Sequence, residues 1–325
     1  MAAGPAPGVT ATNGAAVLPQ GIARVDVLPG PHTHDGESDW DRIVLPDGVK
    51  DRLKNQAILT LLHREQLRAL GLGPQGLIVF AGPPGTGKTT LARGLAFEVA
   101  HELAQERGTT TFIELDPHAL PSEMLGESQR AVTRLLTKTI PEYAQRRATT
   151  IVLIDEVEAF AVRRSAASFE TNPVDLHRAT DAVLMGLDQI AARCPGTLFI
   201  ATTNFIAAID EAMLSRADLI LPFHLATAEV AAQILGRSLR ALAAAWPGLR
   251  AMATDGAEIA RLAHALAGWD GRRVTKLPLV ALARRGETVH DPNRLTFDDL
   301  WAACEELRPE RFTDRAARAR TEILA

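Results

Sequence analysis

Nine consecutive residues have the types and spacing of a phosphate-cradling loop: Gly82, Pro83, Pro84, Gly85, Thr86, Gly87, Lys88, Thr89 and Thr90. Gly82, Gly85 and Gly87 allow a backbone tight enough for successive amide hydrogens to converge on phosphate oxygens. Lys88 can then reach the β- and γ-phosphates and Thr89 can ligate Mg²⁺, while the positive end of a following helix adds its field. The competing reading is a glycine-rich turn that matches by chance. An apolar strand-like run before it (Leu77 to Ala81) and a helix former after it weigh against chance. The pattern implies a site for a nucleoside triphosphate with Mg²⁺.

A second acidic site follows some 67 residues beyond Lys88, where Ile151, Val152, Leu153 and Ile154 lead into Asp155 and Glu156. Four apolar residues would deliver two carboxylates to a sheet rim, where an unpaired carboxylate is costly and a cation is expected. Asp155 suits a Mg²⁺ holder acting through the ion's water shell, and Glu156 suits the group that orients and polarises an attacking water. An acidic helix N-terminus is the plainer alternative. Glu158 is acidic too and receives no role. Beyond a later strand, Asn204 can position water and sense the γ-phosphate, although loop asparagines are common. Arg216 could reach a neighbour's site and stabilise charge on the transferring phosphoryl group, and Arg272, after Gly271, could contact the γ-phosphate from a lid.

The elements that must position these groups read as an α/β domain followed by an all-α one. Strands are predicted at 77–81, 111–115, 150–155, 197–202 and 219–223, separated by helices near 89–106, 127–145, 174–192 and 208–216. Their uniformly apolar character predicts a five-stranded parallel sheet with helices on both faces. Ligands in such sheets lie beyond the C-terminal strand ends, where the glycine-rich loop falls. From Thr227 the pattern turns helical, with four helices and no convincing strand. The expected division is a flexible tail over 1–38, an α/β domain over 39–224, a helical lid over 225–309 and a tail or helix extension over 310–325. Within the first of these, residues 21–30 alternate like a strand and are as consistent with a docked arm as with a tail without a role.

Composition narrows the function classes. Apolar residues make up 46% of the chain, enough for a substantial core, while the formal net charge of −4 does not favour a polyanion binder. No apolar run has the roughly 18–20 residues of a membrane span. The first residues lack the basic start and apolar block of a secretory signal, and Cys194 and Cys304 match no metal spacing. A cytoplasmic location is expected.

The ordered set of phosphate loop, Asp-Glu strand, strand-end Asn, Arg 12 residues later and Gly-Arg in a helical lid resembles the AAA+ ATPases. The stretches 152–160, 167–190, 209–223 and 270–283, with Asp-Gln-Ile, Arg-Ala-Asp and Lys-Leu-Pro elements, are similar to the pachytene-checkpoint remodellers that act on HORMA-domain proteins. The resemblance covers roughly 39–307. It implies that the triphosphate is ATP, held in a homo-hexameric ring in which Lys88, Thr89, Asp155, Glu156, Asn204 and Arg272 act within one subunit and Arg216 enters the next. It also implies pore loops that pull on a polypeptide. The first would be 123–128, with Met124 and Leu125 where an aromatic is usual; methionine can still grip varied side chains. The second would be about 162–172, with Phe169. The short segment ahead of Trp40 is similar to bacterial members rather than to eukaryotic ones with a folded N-terminal domain. In those bacterial systems the ATPase is expected to free a HORMA protein from a nucleotidyltransferase and so shut off anti-phage cyclic-oligonucleotide signalling.

Three rivals differ in testable ways. A loader on nucleic-acid machinery would need a basic face, which this net-acidic chain does not display. An ATP-binding assembly scaffold would tend to lack the acid that Glu156 supplies, and a metabolic kinase would lack the lid with Gly271-Arg272.

Overall fold

The computed structural model describes residues 18–29, 38–116, 127–159 and 173–308. Among these, six strands form one sheet: β1 (Ile22–Leu28), β2 (Leu77–Ala81), β3 (Thr110–Leu115), β4 (Thr149–Ile154), β5 (Thr197–Thr203) and β6 (Leu219–Pro222), in the order β1-β3-β4-β5-β2-β6. Every residue of β2, β3, β4 and β5 is buried, as continuous apolar strands covered on both faces require. Alternate side chains enter two cores. Ile78, Phe80, Ile151, Leu153, Leu198 and Ile200 pack against helices Val49–Ala69 and Lys88–Arg107. Val79, Val152, Ile154, Phe199 and Ala201 face Leu135, Ile140, Leu187 and Ile190 on the opposite side.

One expectation is corrected. The sheet holds six strands, not five: residues 22–28, within the stretch read either as a docked arm or as a tail without a role, are the docked arm and form β1, antiparallel to β3. Its register shifts between Ile22 and Arg24, and Arg24 pairs with Asp26. A bulge and charged side chains are how an edge strand avoids recruiting a foreign one. The helix expected over 127–145 is present as one continuous run, Glu127–Arg134, a π-turn over Leu135–Thr139 and Ile140–Ala144. Pro141 supplies the reason for the π-turn: without an N–H it cannot continue the i→i−4 ladder, and Ile140 N–H donates instead to Leu135 O.

Beyond β6 a second core begins at Ala226 and includes Leu235, Leu239, Leu262, Trp269, Val274, Leu277 and Leu300. Its four longer helices are Ala228–Ala245, Gly256–Ala265, Gly271–Ala283 and Phe297–Leu307. Each opens on a side-chain cap: Thr227, Asp255, Asp270 and Thr296 accept N–H groups of their first turns. Thr296 and Asp299 complete a reciprocal capping box. No helix among the described residues is long and apolar enough to cross a membrane.

Asp218 of the Arg-Ala-Asp element fastens the lower end of the sheet. Its carboxylate accepts from the N–H groups of Gln75, Gly76 and Leu77 at 2.8, 2.6 and 3.2 Å, which sets the start of β2 beside β6. Next to it the buried Arg64 donates to Thr197 O at 2.7 Å, and burial pulls its guanidinium down to about 10.

Candidate functional site

The glycine-rich loop leaves β2 in a space only glycine can occupy. Gly82 N–H donates to Thr203 O, and a Cβ on Gly82 would stand 2.1 Å from Phe223 O, so the loop is wedged between the ends of β5 and β6. Gly85 and Gly87 have φ of +77° and +98°, in the left-handed region. A Cβ on Gly87 would meet Ile43 Cδ1 at 2.4 Å, and one on Gly85 would meet Asp270 Oδ1 at 2.4 Å. The segment after Trp40 and the lid therefore both close on the loop. Thr86 Oγ1 donates to Pro83 O at 2.8 Å and braces its bend.

Lys88, 6% exposed, directs its ammonium back over the loop to Gly82 O (2.7 Å), Pro83 O (2.8 Å) and Asn204 Oδ1 (2.9 Å). An ammonium has three hydrogens, and all three are engaged. Desolvation holds the Lys88 pKa below its ordinary value, opposed by the nearby charges of Glu158, Asp155 and Glu156. Helix Lys88–Arg107 starts at this lysine, which places Thr89 in its first turn. Thr89 Oγ1 donates to Asp155 Oδ1 at 2.8 Å. A hydroxyl and a carboxylate oxygen in contact are the hard donors Mg²⁺ favours.

Asp155 and Glu156 follow the last residue of β4, and parallel pairing of Ile154 with Ala201 brings them alongside Thr202 and Thr203 of β5. Thr202 Oγ1 donates to Asp155 Oδ1 at 2.5 Å and accepts Glu156 N–H at 3.0 Å, so one hydroxyl orders both acids. Glu156 has φ +52°, the one positive value at a non-glycine among the described residues. Such backbone costs roughly 1–3 kcal/mol and persists where its surroundings enforce it, as Thr202 does. Asn204 Nδ2 donates to Glu156 Oε1 at 3.2 Å, which joins Lys88, Asn204 and Glu156 in one chain of contacts.

The structure thus gathers Lys88, Thr89, Asp155, Glu156 and Asn204. Arg272 reaches the loop through its backbone, where its N–H donates to Gly85 O at 3.0 Å. Arg216 is differently engaged: it forms a bidentate pair with Asp188 (3.0 and 2.9 Å) and donates to Ala212 O, and the Asp188 hydrogen bonds raise its pKa. Asp188 belongs to the Asp-Gln-Ile element near the end of helix Pro173–Arg193. Met124, Leu125 and Phe169 lie outside the described residues. Sequence reasoning missed Thr202, Asp270 and the partnership of Glu158 with Asn204. The doubled threonine before Asn204 was the available signal for Thr202.

A side chain at Gly85 tests how closely lid and loop depend on each other. Gly85→Ala places a Cβ against Asp270, the cap of helix Gly271–Ala283, and forces a left-handed alanine costing about 1–2 kcal/mol. Affinity for a fluorescent ATP analogue is expected to fall about tenfold, the equivalent of that strain; native affinity would show that the loop does not need this geometry to bind.

A mostly parallel sheet with this loop, a carboxylate pair at the adjoining strand end and a capping helical domain defines a P-loop nucleotide-binding protein. Residues 78–225 match the family model described as "ATPase family associated with various cellular activities (AAA)". The chain is 40% identical over 297 residues to CD-NTase-associated protein 6 of Pseudomonas aeruginosa, covering 91% of this chain and 95% of that one. It is 29% identical over 271 residues to the pachytene checkpoint protein 2 homolog of Danio rerio, covering 77% of this chain and 63% of the relative's length. The fold is also that of a chain in the structure of the E. coli MS115-1 HORMA:CdnC:Trip13 complex, with a TM-score of 0.70 at 21% identity over 89% of this chain and 96% of that one. The protein belongs to the AAA ATPase family.

Proposed function

We propose that this ATPase couples ATP hydrolysis to the remodelling of a HORMA-domain protein, as a homo-hexamer in the cytoplasm that detaches its client from a nucleotidyltransferase and so restrains anti-phage signalling. The observation that carries the reading is 40% identity sustained across 91% of the chain to a CD-NTase-associated protein, together with a complete Lys88–Asn204–Glu156 network. A related fold in a complex with a HORMA protein and CdnC supports the choice of client.

In this reading the amides between Gly82 and Thr89 and the Lys88 ammonium bind the triphosphate. Thr89 and Asp155 would hold Mg²⁺, which neutralises charge on the phosphates when bound. Glu156 orients the attacking water and accepts its proton, with Asn204 Nδ2 setting the carboxylate's direction. A phosphate oxygen must take at least one of the three Lys88 hydrogens, and the side-chain acceptor Asn204 Oδ1 yields more readily than two carbonyls fixed in the loop. Arg272 senses the triphosphate from the lid, and Arg216 acts on the adjoining subunit. Met124, Leu125 and Phe169 grip the client in the pore.

The test reconstitutes the protein with its HORMA partner bound to the nucleotidyltransferase. ATP is expected to release the HORMA protein, read as separation on size exclusion, and to lower cyclic-oligonucleotide synthesis. A complex that stays intact during sustained ATP turnover would rule out this client.

A further inference from the structure

Glu158 is the acid of the Asp-Glu-Val-Glu run to which the chemistry above gives no task. It sits on the 3₁₀ turn Val157–Ala159, anchored by Val157, which is fully buried. Its Oε1 accepts the Asn204 N–H at 3.0 Å, while its Oε2 is buried without a hydrogen-bond partner. Asn204 is therefore held at three points, by Glu158 on its backbone and by Lys88 and Glu156 on its amide. The chain beyond it is loosely covered: Phe205 is 67% exposed and Ile206 44%. Phe205 N–H donates to Thr203 Oγ1 at 3.1 Å, and the Glu158 carboxylate is the partner of the Asn204 backbone N–H itself.

We infer that Glu158 is a positioning residue for ATP hydrolysis, fixing the Asn204 backbone so that the Asn204 amide can release Lys88 to the γ-phosphate while its Nδ2 stays on Glu156. Two needs conflict at Asn204. Its Oδ1 must leave the ammonium when phosphate arrives, yet its Nδ2 must keep Glu156 aimed. A side chain can meet both only by turning about a fixed Cα. Without the Glu158 contact the Asn204 N–H loses its partner and the Asn204 Cα can shift toward whichever side-chain partner pulls harder, and displacement on the order of 1 Å at a catalytic group can cost 10²-fold in rate. The assignment rests on the ATPase reading of the same site.

Two conservative variants separate reach from charge. Glu158→Asp keeps the carboxylate but withdraws it by one methylene, whereas Glu158→Gln keeps a carbonyl at the same reach and removes the charge. Turnover in Glu158→Asp is expected to fall about 10- to 100-fold with ATP affinity within about threefold of native, and Glu158→Gln to stay within about threefold of native turnover. Hydrogen–deuterium exchange at the Asn204 amide, read in parallel with and without ATP, should accelerate about tenfold or more in Glu158→Asp and remain slow in Glu158→Gln. Native turnover and native exchange in Glu158→Asp would overturn the inference. So would a Glu158→Gln protein as impaired as Glu158→Asp, since charge beside Lys88 would then be what matters. The exchange measurement does not depend on hydrolysis, so a native protein that failed to turn over ATP would refute the ATPase reading and leave the positioning role to be decided by exchange.

Discussion

In Glu156→Gln, turnover is expected to fall roughly 10²- to 10⁴-fold, the usual contribution of a positioned general base, with ATP affinity within about threefold of native. The substitution isolates basicity from geometry. Glu156 Oε1 accepts Asn204 Nδ2, and a glutamine carbonyl can accept the same bond. The residue's left-handed backbone is set by its own N–H on Thr202, which the change does not touch. Phosphate-release kinetics beside fluorescent-nucleotide binding measure the two quantities separately. Turnover within about threefold of native would strip Glu156 of its role, because a general base worth under 1 kcal/mol is no base at all. The same variant would hold ATP without spending it, which makes it the form best suited to retaining a client for identification.

Arg216→Ala should lower turnover by roughly 10³- to 10⁵-fold if its guanidinium stabilises the transferring phosphoryl group of an adjoining subunit. Within one chain it is bound to Asp188 and Ala212 O, at the end of the short helix Glu211–Leu214. A guanidinium held in a planar, two-bond grip keeps its direction fixed, which suits a group that must be presented outward. Mixing decides whether it acts on its own subunit or the next. Arg216→Ala subunits keep an intact pocket, and Glu156→Gln subunits keep an intact Arg216. Random assembly in a head-to-tail ring then restores roughly a quarter of native turnover in an equimolar mixture. Two inactive variants that remain inactive together would place Arg216 on its own subunit or outside the chemistry altogether.

The glycine-rich loop was legible in the sequence because its geometry is local. Gly82 to Thr90 are contiguous, so the amides, the lysine and the threonine are brought together by a few backbone torsions that glycine alone permits. The buried strands were legible for a similar reason, since unbroken apolar runs such as Ile151 to Ile154 can lie only where both faces are covered. The helical character of the chain from Thr227 onward was legible too, although the side-chain caps Asp255, Asp270 and Thr296 that fix where its later helices start were seen only in the structure. The order of the glycine-rich loop, the Asp-Glu pair, Asn204, Arg216 and Arg272 along the chain already resembles that of the AAA+ ATPases.

Only the tertiary structure decided what depends on one strand's register against another. Thr202 serves Asp155 and Glu156 because Ile154 pairs with Ala201; a slip of one residue would turn its hydroxyl to the other face. Glu158 meets Asn204 across 46 residues, a contact no local pattern encodes. β1 shows the same limit at the sheet's edge. Its half-exposed alternation fits a strand anywhere, and the unpaired rim of β3 selected its place. Sequence specifies torsions and burial residue by residue, whereas a hydrogen bond between distant segments exists only once the whole sheet has set their register.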